Sequence, residues 1–364
     1  MAADPFLTLP QLEIPQNSGS ITVTAPSNIA LIKYWGKSQG QIPKNASISF
    51  TLNKCVTQTT INYEPLTAPK LTSDTEFEVF VDGVSKPEFA PKIATFFKRI
   101  APYMPWIGSF KWRIDTKNTF PHGSGIASSA SGFAALAGAL MHLEVSWATA
   151  PYQQDLWVNK TSFLARLGSG SAARSVLGPL MYWGGHPALP ESNDLFANAL
   201  TKDIDPIFLD YKDTILLVDQ GEKEVSSTVG HNLMHNHAYA SQRFAQAQDN
   251  LGRLLKLMSA GDLDEFCHLV ETEALSLHAM MMTSNPSYVL MKPNTLAIID
   301  RVRAYRREQQ IPVCFTLDAG ANVHLLYPAH YTEQVMPWIR KELSPLCQDG
   351  QFIKDEVGQG LKKL

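Results

Sequence analysis

Between Gly108 and Glu144 the chain runs GSFKWRIDTKNTFPHGSGIASSASGFAALAGALMHLE, and this stretch limits the available folds more than any other. The segment GSFKWRID reads as a strand, and FAALAGALMHLE reads as an apolar helix that must be buried. A glycine- and serine-rich loop leads directly into that helix. Small residues let backbone N–H groups approach an anion, and a helix N-terminus favours negative charge. Ser128, Ser129 and Ser131 add hydroxyls suited to phosphate oxygens or Mg²⁺. The plainer alternative is a tight N-cap in which the serines only satisfy the helix end. Loop chemistry alone leaves both open.

The rest of the chain supplies strands and helices in mixed order. Ile21, Val23 and Ala25 alternate with threonines as a half-buried strand does. ISFTL, VTQTTINY and FEVFVDG are further strand-like runs, the last ending in a hairpin-type Asp82-Gly83. PEFAPKIATFFKRIAPYM and SFLARL have helical spacing, and GPLMYWGG returns to strand. TILLVD is a strong strand, followed by helices over ASQRFAQAQDNLGRLLKLMSAG and LDEFCHLVETEALSLHAMMM. VCFTLDAGANVHLLYP reads as strand, glycine turn, strand. This mixture predicts an α+β fold in both halves. The Pro/Asn/Asp-rich stretch from Gly185 to Pro206 is the best boundary, giving an arm over 1–20, an N-terminal domain over 21–205 and a C-terminal domain over 206–364.

Bulk properties exclude several classes. A formal net charge of −3 gives no electrostatic footprint for nucleic acid or an anionic membrane. No run approaches the ~18 apolar residues of a membrane span. The first twenty residues lack the basic and apolar regions of a secretion signal and read as a loose arm. Cys55, Cys267, Cys314 and Cys347 are widely spaced, with no CxxC pair, which argues against a disulfide framework or a zinc ribbon. The expectation is a cytoplasmic protein without membrane or nucleic-acid partners.

Three further stretches could carry chemistry. In TAPSNIALIKYWGKS an apolar strand runs into a Lys-Tyr-Trp-Gly-Lys cluster, but Leu31 stands where a P-loop needs its first glycine. LGSGSAARS fits a GxGxxA dinucleotide spacing at Gly168, Gly170 and Ala173, yet follows a helix where that motif needs a strand. Its useful content is Ser169, Ser171 and Arg174, suited to bidentate capture of a carboxylate or phosphate unless Arg174 is a surface residue. In TLDAGANVH, Asp318 could aim a carboxylate into a cleft, although organising its own turn is the favoured reading of the residues alone. His231 and His235 have the i, i+4 spacing of a metal pair, but Asn232 replaces the glutamate of HExxH and a solvated face is the expectation. No GxSxG elbow occurs, so a serine hydrolase has little support.

Taken in order, these stretches resemble one family. TAPSNIALIKYWGK is similar to the opening motif of mevalonate diphosphate decarboxylases, members of the GHMP kinase superfamily. FPHGSGIASSASG resembles the superfamily's PxxxGLxSSA phosphate loop, GSGSAARS the family's GSGSACRS, and TLDAGANVH its TxDAGPN. EVSSTVG, Glu224 to Gly230, matches a segment that touches substrate in the family. The resemblance implies the GHMP fold, an N-terminal ribosomal protein S5 domain 2-like domain joined to a C-terminal ferredoxin-like α+β domain, often as a homodimer.

The implied activity is ATP-dependent decarboxylation of mevalonate 5-diphosphate to isopentenyl diphosphate, with Mg²⁺ as cofactor, through phosphorylation of the C3 hydroxyl. Asp318 would contact that hydroxyl, Lys33 would sit beside Asp318, and Arg174 would clamp the C1 carboxylate, with Ser169, Gly170 and Ser171 nearby. Tyr34, Trp35, Gly36 and Lys37 would form the wall at the 5-phosphate end, with Thr228 assisting. Pro121, Gly123, Ser124, Gly125, Ala127, Ser128 and Ser129 would wrap the ATP phosphates, and Ser129 would approach Mg²⁺.

The chain departs from the family pattern in places. His122, Gly123 and Ser124 replace Thr-Ala-Ala in the phosphate loop, and Ala321 replaces the proline after DAG. Family members bring an arginine from the N-terminal insert to the diphosphate end. Between Glu64 and Phe97 there are Lys70, Lys86 and Lys92 but no arginine, which keeps a 5-phosphate substrate open. A mevalonate 3-kinase would lack the Lys33 and Asp318 pair, and a non-catalytic binding protein would lose the phosphate loop or the acid.

Overall fold

The computed structural model describes residues 5–71, 74–121, 125–221 and 227–364. Among these, the strands form two sheets. The first sheet contains β1 (Gly19–Ile32), β2 (Ser47–Pro65), β3 (Phe77–Val81), β4 (Val84–Ser85), β5 (Phe110–Asn118), β6 (Leu180–Trp183), β7 (Asn198–Ala199) and β12 (Lys362–Lys363). Its order is β12-β1-β2-β5-β3-β4, with β6 pairing β2 and β7. The pairs are antiparallel except β3 with β5. The second sheet, β8 (Tyr211–Leu216), β9 (Cys314–Thr316), β10 (Val323–Pro328) and β11 (Phe352–Glu356), is antiparallel in the order β11-β8-β10-β9. This fourth-first-third-second order is ferredoxin-like.

The helices are α1 (Ala90–Ile100), α2 (Ser128–Trp147), α3 (Gln154–Gly168), α4 (Ser227–Leu233), α5 (Ala240–Ala260), α6 (Leu263–Met282), α7 (Pro293–Gln309) and α8 (Thr332–Trp338). Small residues account for the place of α2. Ala130, Ala134, Ala135, Ala137 and Ala139 are all buried, so its backbone lies close to β1 and β2 and is covered by α3. The expected α+β architecture is therefore present.

Three features differ from expectation. ISFTL and VTQTTINY form one continuous strand, β2, and irregularities in its register with β1 fall between Pro26 and Asn28 and between Ala30 and Ile32. The first twenty residues are not a loose arm where described: Phe6 is buried against Phe163 at a centroid distance of 4.7 Å, and Glu13 N–H donates to Trp147 O at 2.8 Å. The chain's end also returns to the first sheet, with Val23 opposite Lys363.

A continuous apolar cluster joins the two halves. Ile29, Ile48 and Phe50 of the first sheet pack with Ile215 of β8, Leu254 and Met258 of α5 and Phe266 of α6. Asp355 on β11 adds polar anchorage, accepting the N–H groups of Asn53, Lys54 and Cys55 at 2.9, 2.8 and 2.7 Å. The ends of β1 and β9 are thus held together, which brings the residues after both strands into one cleft.

Candidate active site

Lys33 follows β1 directly and is 1% exposed. Its backbone N–H donates to Glu273 Oε2 at 2.9 Å and its carbonyl accepts from Asn45 Nδ2 at 2.9 Å. Arg243 and Asn250 hold Glu273 in turn, so a buried polar framework fixes the lysine's backbone. Its Nζ meets Asp318 Oδ1 at 3.1 Å. Burial lowers the Lys33 pKa, and Asp318 opposes that shift. Asp318 sits in the turn after β9, where Gly320 N–H and His278 Nε2 lie within hydrogen-bond reach of its carbonyl at 2.7 and 3.1 Å. Its carboxylate is therefore aimed at the lysine, which the turn reading did not anticipate.

Arg174 lies in a short 3₁₀ segment, Gly170–Ser175, and is 2% exposed, so it is not a surface residue. It donates from Nη1 to Ser47 Oγ at 2.7 Å and from Nε to Ser49 Oγ at 3.0 Å, while Nη2 stands 3.5 Å from Asn28 Oδ1. These acceptors are neutral. Burial brings its pKa down to about 10, with Asp318 and Tyr34 opposing the shift. A buried guanidinium among neutral acceptors is suited to receiving an anion.

These groups open on a cavity of roughly 400 Å³. Lys33, Tyr34, Trp35, Lys37, Ser169, Gly170, Ser171, Arg174, Thr228 and Asp318 all line it, as do Gly125, Ala127 and Ser129 of the phosphate-type loop. Gly36, Pro121 and Ser128 are not among the lining residues. Gly36 instead adopts φ +103°, and an added Cβ would lie 2.6 Å from the Phe244 ring. Ser128 begins α2, and its carbonyl accepts from Ser131 Oγ at 3.2 Å. His122, Gly123 and Ser124, and Glu224 to Ser226 of EVSSTVG, lie outside the described residues.

The described part of the loop before α2 has the backbone of a tight turn into a helix. Gly125 has φ +88° and Ala127 is left-handed at φ 45°, conformations found where a tight loop enters a helix. An added Cβ on Gly125 would lie 3.7 Å from Gly320 Cα, so this loop packs on the turn bearing Asp318. The Ser129 and Ser169 hydroxyls are 3.2 Å apart, linking two of the sequence motifs. Among the described residues no group of three His, Cys, Asp or Glu could hold a metal ion. A Mg²⁺ bound here would take oxygens mainly from phosphates, with Ser129 as a protein donor, which is ordinary for this cation.

The cavity is also lined by residues to which sequence reading gave no place in the site. Lys92, Thr95 and Arg99 of α1 line it, as does His231 of α4. Arg99 Nη1 donates to Leu167 O at 2.7 Å. The Lys37 pKa is lowered by burial and then by Arg99. Arg99 follows Phe97 by two positions, and the i, i+3, i+7 spacing of Lys92, Thr95 and Arg99 puts all three on one helical face. His231 corrects the solvated-face expectation. It is 7% exposed and packs at a tilt against Tyr34 and Trp35 at centroid distances of 4.4 and 4.6 Å. The helix ends at Leu233, so His235 does not continue its face.

Comparison with known proteins agrees with the ordered motifs. Residues 25–192 match the diphosphomevalonate decarboxylase-like N-terminal domain, and residues 214–362 match the mevalonate 5-diphosphate decarboxylase C-terminal domain. A diphosphomevalonate decarboxylase of Eremothecium gossypii is 30% identical over 85% of this chain and 77% of its own length. A phosphomevalonate decarboxylase of Haloferax volcanii is 28% identical over 84% of this chain and 87% of its own. A solved structure of MDDEF in complex with MVAPP, AMPPCP and magnesium superposes with a TM-score of 0.79 and 26% identity, covering 95% of this chain and 99% of that one. With both halves matched in order and a relative of that identity over most of its length, the chain belongs to the diphosphomevalonate decarboxylase family.

Proposed function

We propose that this chain is an ATP- and Mg²⁺-dependent decarboxylase acting on mevalonate 5-diphosphate, with its two domains divided near residues 205 and 206. The observation that carries the reading is the Lys33–Asp318 pair at 3.1 Å beside a buried Arg174 that has only neutral hydrogen-bond partners. ATP supplies the phosphoryl group that turns the tertiary C3 hydroxyl into a leaving group, and Mg²⁺ neutralises charge as it moves.

Asp318 orients the hydroxyl or takes its proton, and Lys33 keeps that carboxylate ionised. The N-terminus of α2 and the loop from Gly125 to Ser129 hold the phosphates, with Ser129 next to the metal. Arg174 grips the C1 carboxylate. Because its side chain is fixed by Ser47 and Ser49, it positions the group without following the charge as CO₂ departs.

Lys37, Lys92 and Arg99 take the phosphorylated end. Three cations there suit a diphosphate better than a monophosphate, which separates this reading from phosphomevalonate decarboxylation. The test is product stoichiometry with MgATP and, separately, mevalonate, its 5-phosphate and its 5-diphosphate. Equal ADP and CO₂ with the diphosphate is the expected result. ADP without CO₂ makes the protein a 3-kinase, and neither product from any of the three overturns the reading.

A further inference from the structure

The histidine-rich segment HNLMHNH has no part in the reaction as derived, yet its first member lines the cavity. We propose that His231 is a specificity-determining hydrogen-bond donor, presenting a neutral Nε2–H to a phosphoryl oxygen at the phosphorylated end of the organic substrate. The inference rests on the function proposed above.

The geometry fixes which nitrogen carries the proton. Gly36 N–H donates to His231 Nδ1 at 2.9 Å. A neutral imidazole has one N–H, so an Nδ1 that accepts leaves the hydrogen on Nε2. The donor to Nδ1 cannot easily move, because Gly36 holds φ +103° and the Phe244 ring occupies the place of a Cβ. The imidazole is buried and packs between the Tyr34 and Trp35 rings. Among the described residues none bonds its Nε2. The Tyr34 hydroxyl is also buried without a hydrogen-bond partner.

Charge explains why a histidine suits this place. Lys37 acts on His231 and Arg99 acts on Lys37, while Arg174 and Arg166 act on the neighbouring Tyr34. Burial, reinforced by Lys37, brings the His231 pKa down to about 3, so the ring adds a donor without adding repulsion. A metal on Nε2 would drive the proton to Nδ1 and break the bond from Gly36. Phosphoryl oxygen is an acceptor that fits an imidazole N–H beside the Lys37 cation.

The test uses the full chain and two variants. His231→Phe keeps the stacked ring and removes the N–H, and His231→Gln restores a side-chain donor. With wild type releasing CO₂, the expected result for H231F is at least a tenfold loss of kcat/KM for mevalonate 5-diphosphate, with the KM for ATP within twofold. H231Q recovers part of the loss. A kcat/KM for H231F within twofold of wild type overturns the proposal.

A second measurement needs neither activity nor a variant that turns over. Wild-type protein labelled with ¹⁵N-histidine is titrated with inorganic pyrophosphate. An Nε2–H signal that moves on addition supports the proposal, and the H231F spectrum assigns it. An Nδ1–H tautomer, or an Nε2–H signal that pyrophosphate leaves in place, overturns it even if wild type proves inactive.

Discussion

Replacing Asp318 by asparagine should affect stability and turnover through the same atom. Lys33 is buried, and Asp318 Oδ1 at 3.1 Å is the carboxylate that faces its Nζ. At an effective dielectric of about 20, two unit charges at that distance attract by about 5 kcal/mol. The Asp318 side chain is 24% exposed, so solvent screens part of this. Removing one partner of a largely buried pair then costs about 3 kcal/mol. For a chain of 364 residues the unfolding entropy is on the order of 0.8 kcal/mol/K, so Tm falls by about 4 °C.

The loss should depend on pH with a fixed sign. Burial holds the Lys33 pKa below its ordinary value, and Asp318 partly restores it. The unfolded chain therefore binds a proton that the native lysine resists, and stability rises with pH between the folded and unfolded pKa values. Without Asp318 that window extends to lower pH. Wild type and D318N should converge near pH 10 and diverge as pH falls. Scanning fluorimetry of D318N and of the K33M/D318N pair from pH 6 to 10 checks this, and the pair should regain most of the lost Tm. Turnover of D318N should be below about a tenth of wild type with ATP binding retained. A D318N protein as stable as wild type at pH 7, or one with the pH dependence of the pair, would refute the electrostatic argument.

Arg174→Met should abolish substrate-dependent turnover yet raise the Tm of the free protein by about 2–3 °C. A pKa held at about 10 corresponds to about 3 kcal/mol of strain on the charged form below that pH, less about 1 kcal/mol for the Ser49 hydroxyl left unbonded; scanning fluorimetry without ligand reads the sign. Arg99→Met should raise the KM for mevalonate 5-diphosphate about tenfold more than that for the 5-phosphate, and equal effects in steady-state assays would remove Arg99 from the distal phosphate. Gly170→Ala should reduce stability by about 2 kcal/mol in urea denaturation, because the new methyl would lie 2.6 Å from Tyr34 Oη and 3.0 Å from Trp183.

What the sequence disclosed follows from how local each determinant is. The end of β1, the loop before α2, GSGSAARS and the turn after β9 are contiguous motifs, so they could be read and ordered without coordinates. The Lys33–Asp318 contact spans 285 positions, and only the resemblance to a family joined them in advance. Arg99 was hidden by register. The buried face of α1 is Ile93, Phe96, Phe97 and Ile100, and the cavity face is Lys92, Thr95 and Arg99. A scan by residue type over a fixed window misses what a helical period would have found. His231 was hidden by an assumption of continuity, since the i, i+4 match with His235 requires a helix that ends at Leu233. Glu273, Arg243, Asn250 and Asn45 carry no motif at all, because their role is to hold a backbone rather than a substrate.

That supporting framework bears on why the cavity has its charge. Among the described residues lining it are Lys33, Lys37, Lys92, Arg99 and Arg174, against the single carboxylate of Asp318, in a chain of net charge −3. Lys92 and Arg99 are exposed and Lys37 is half-buried, whereas Lys33 and Arg174 are buried. Here the Lys33 backbone is tied at both N–H and carbonyl, and the Arg174 side chain is held by two serine hydroxyls. Lys33 is compensated by Asp318, whereas the Arg174 charge is held among neutral hydrogen-bond partners until an anion arrives. A carboxylate at one end and phosphates at the other supply that compensation together, so binding at each end should strengthen as the other is filled. A substrate lacking the carboxylate leaves the buried Arg174 without an anion, and discrimination against it comes from that penalty as much as from lost contacts.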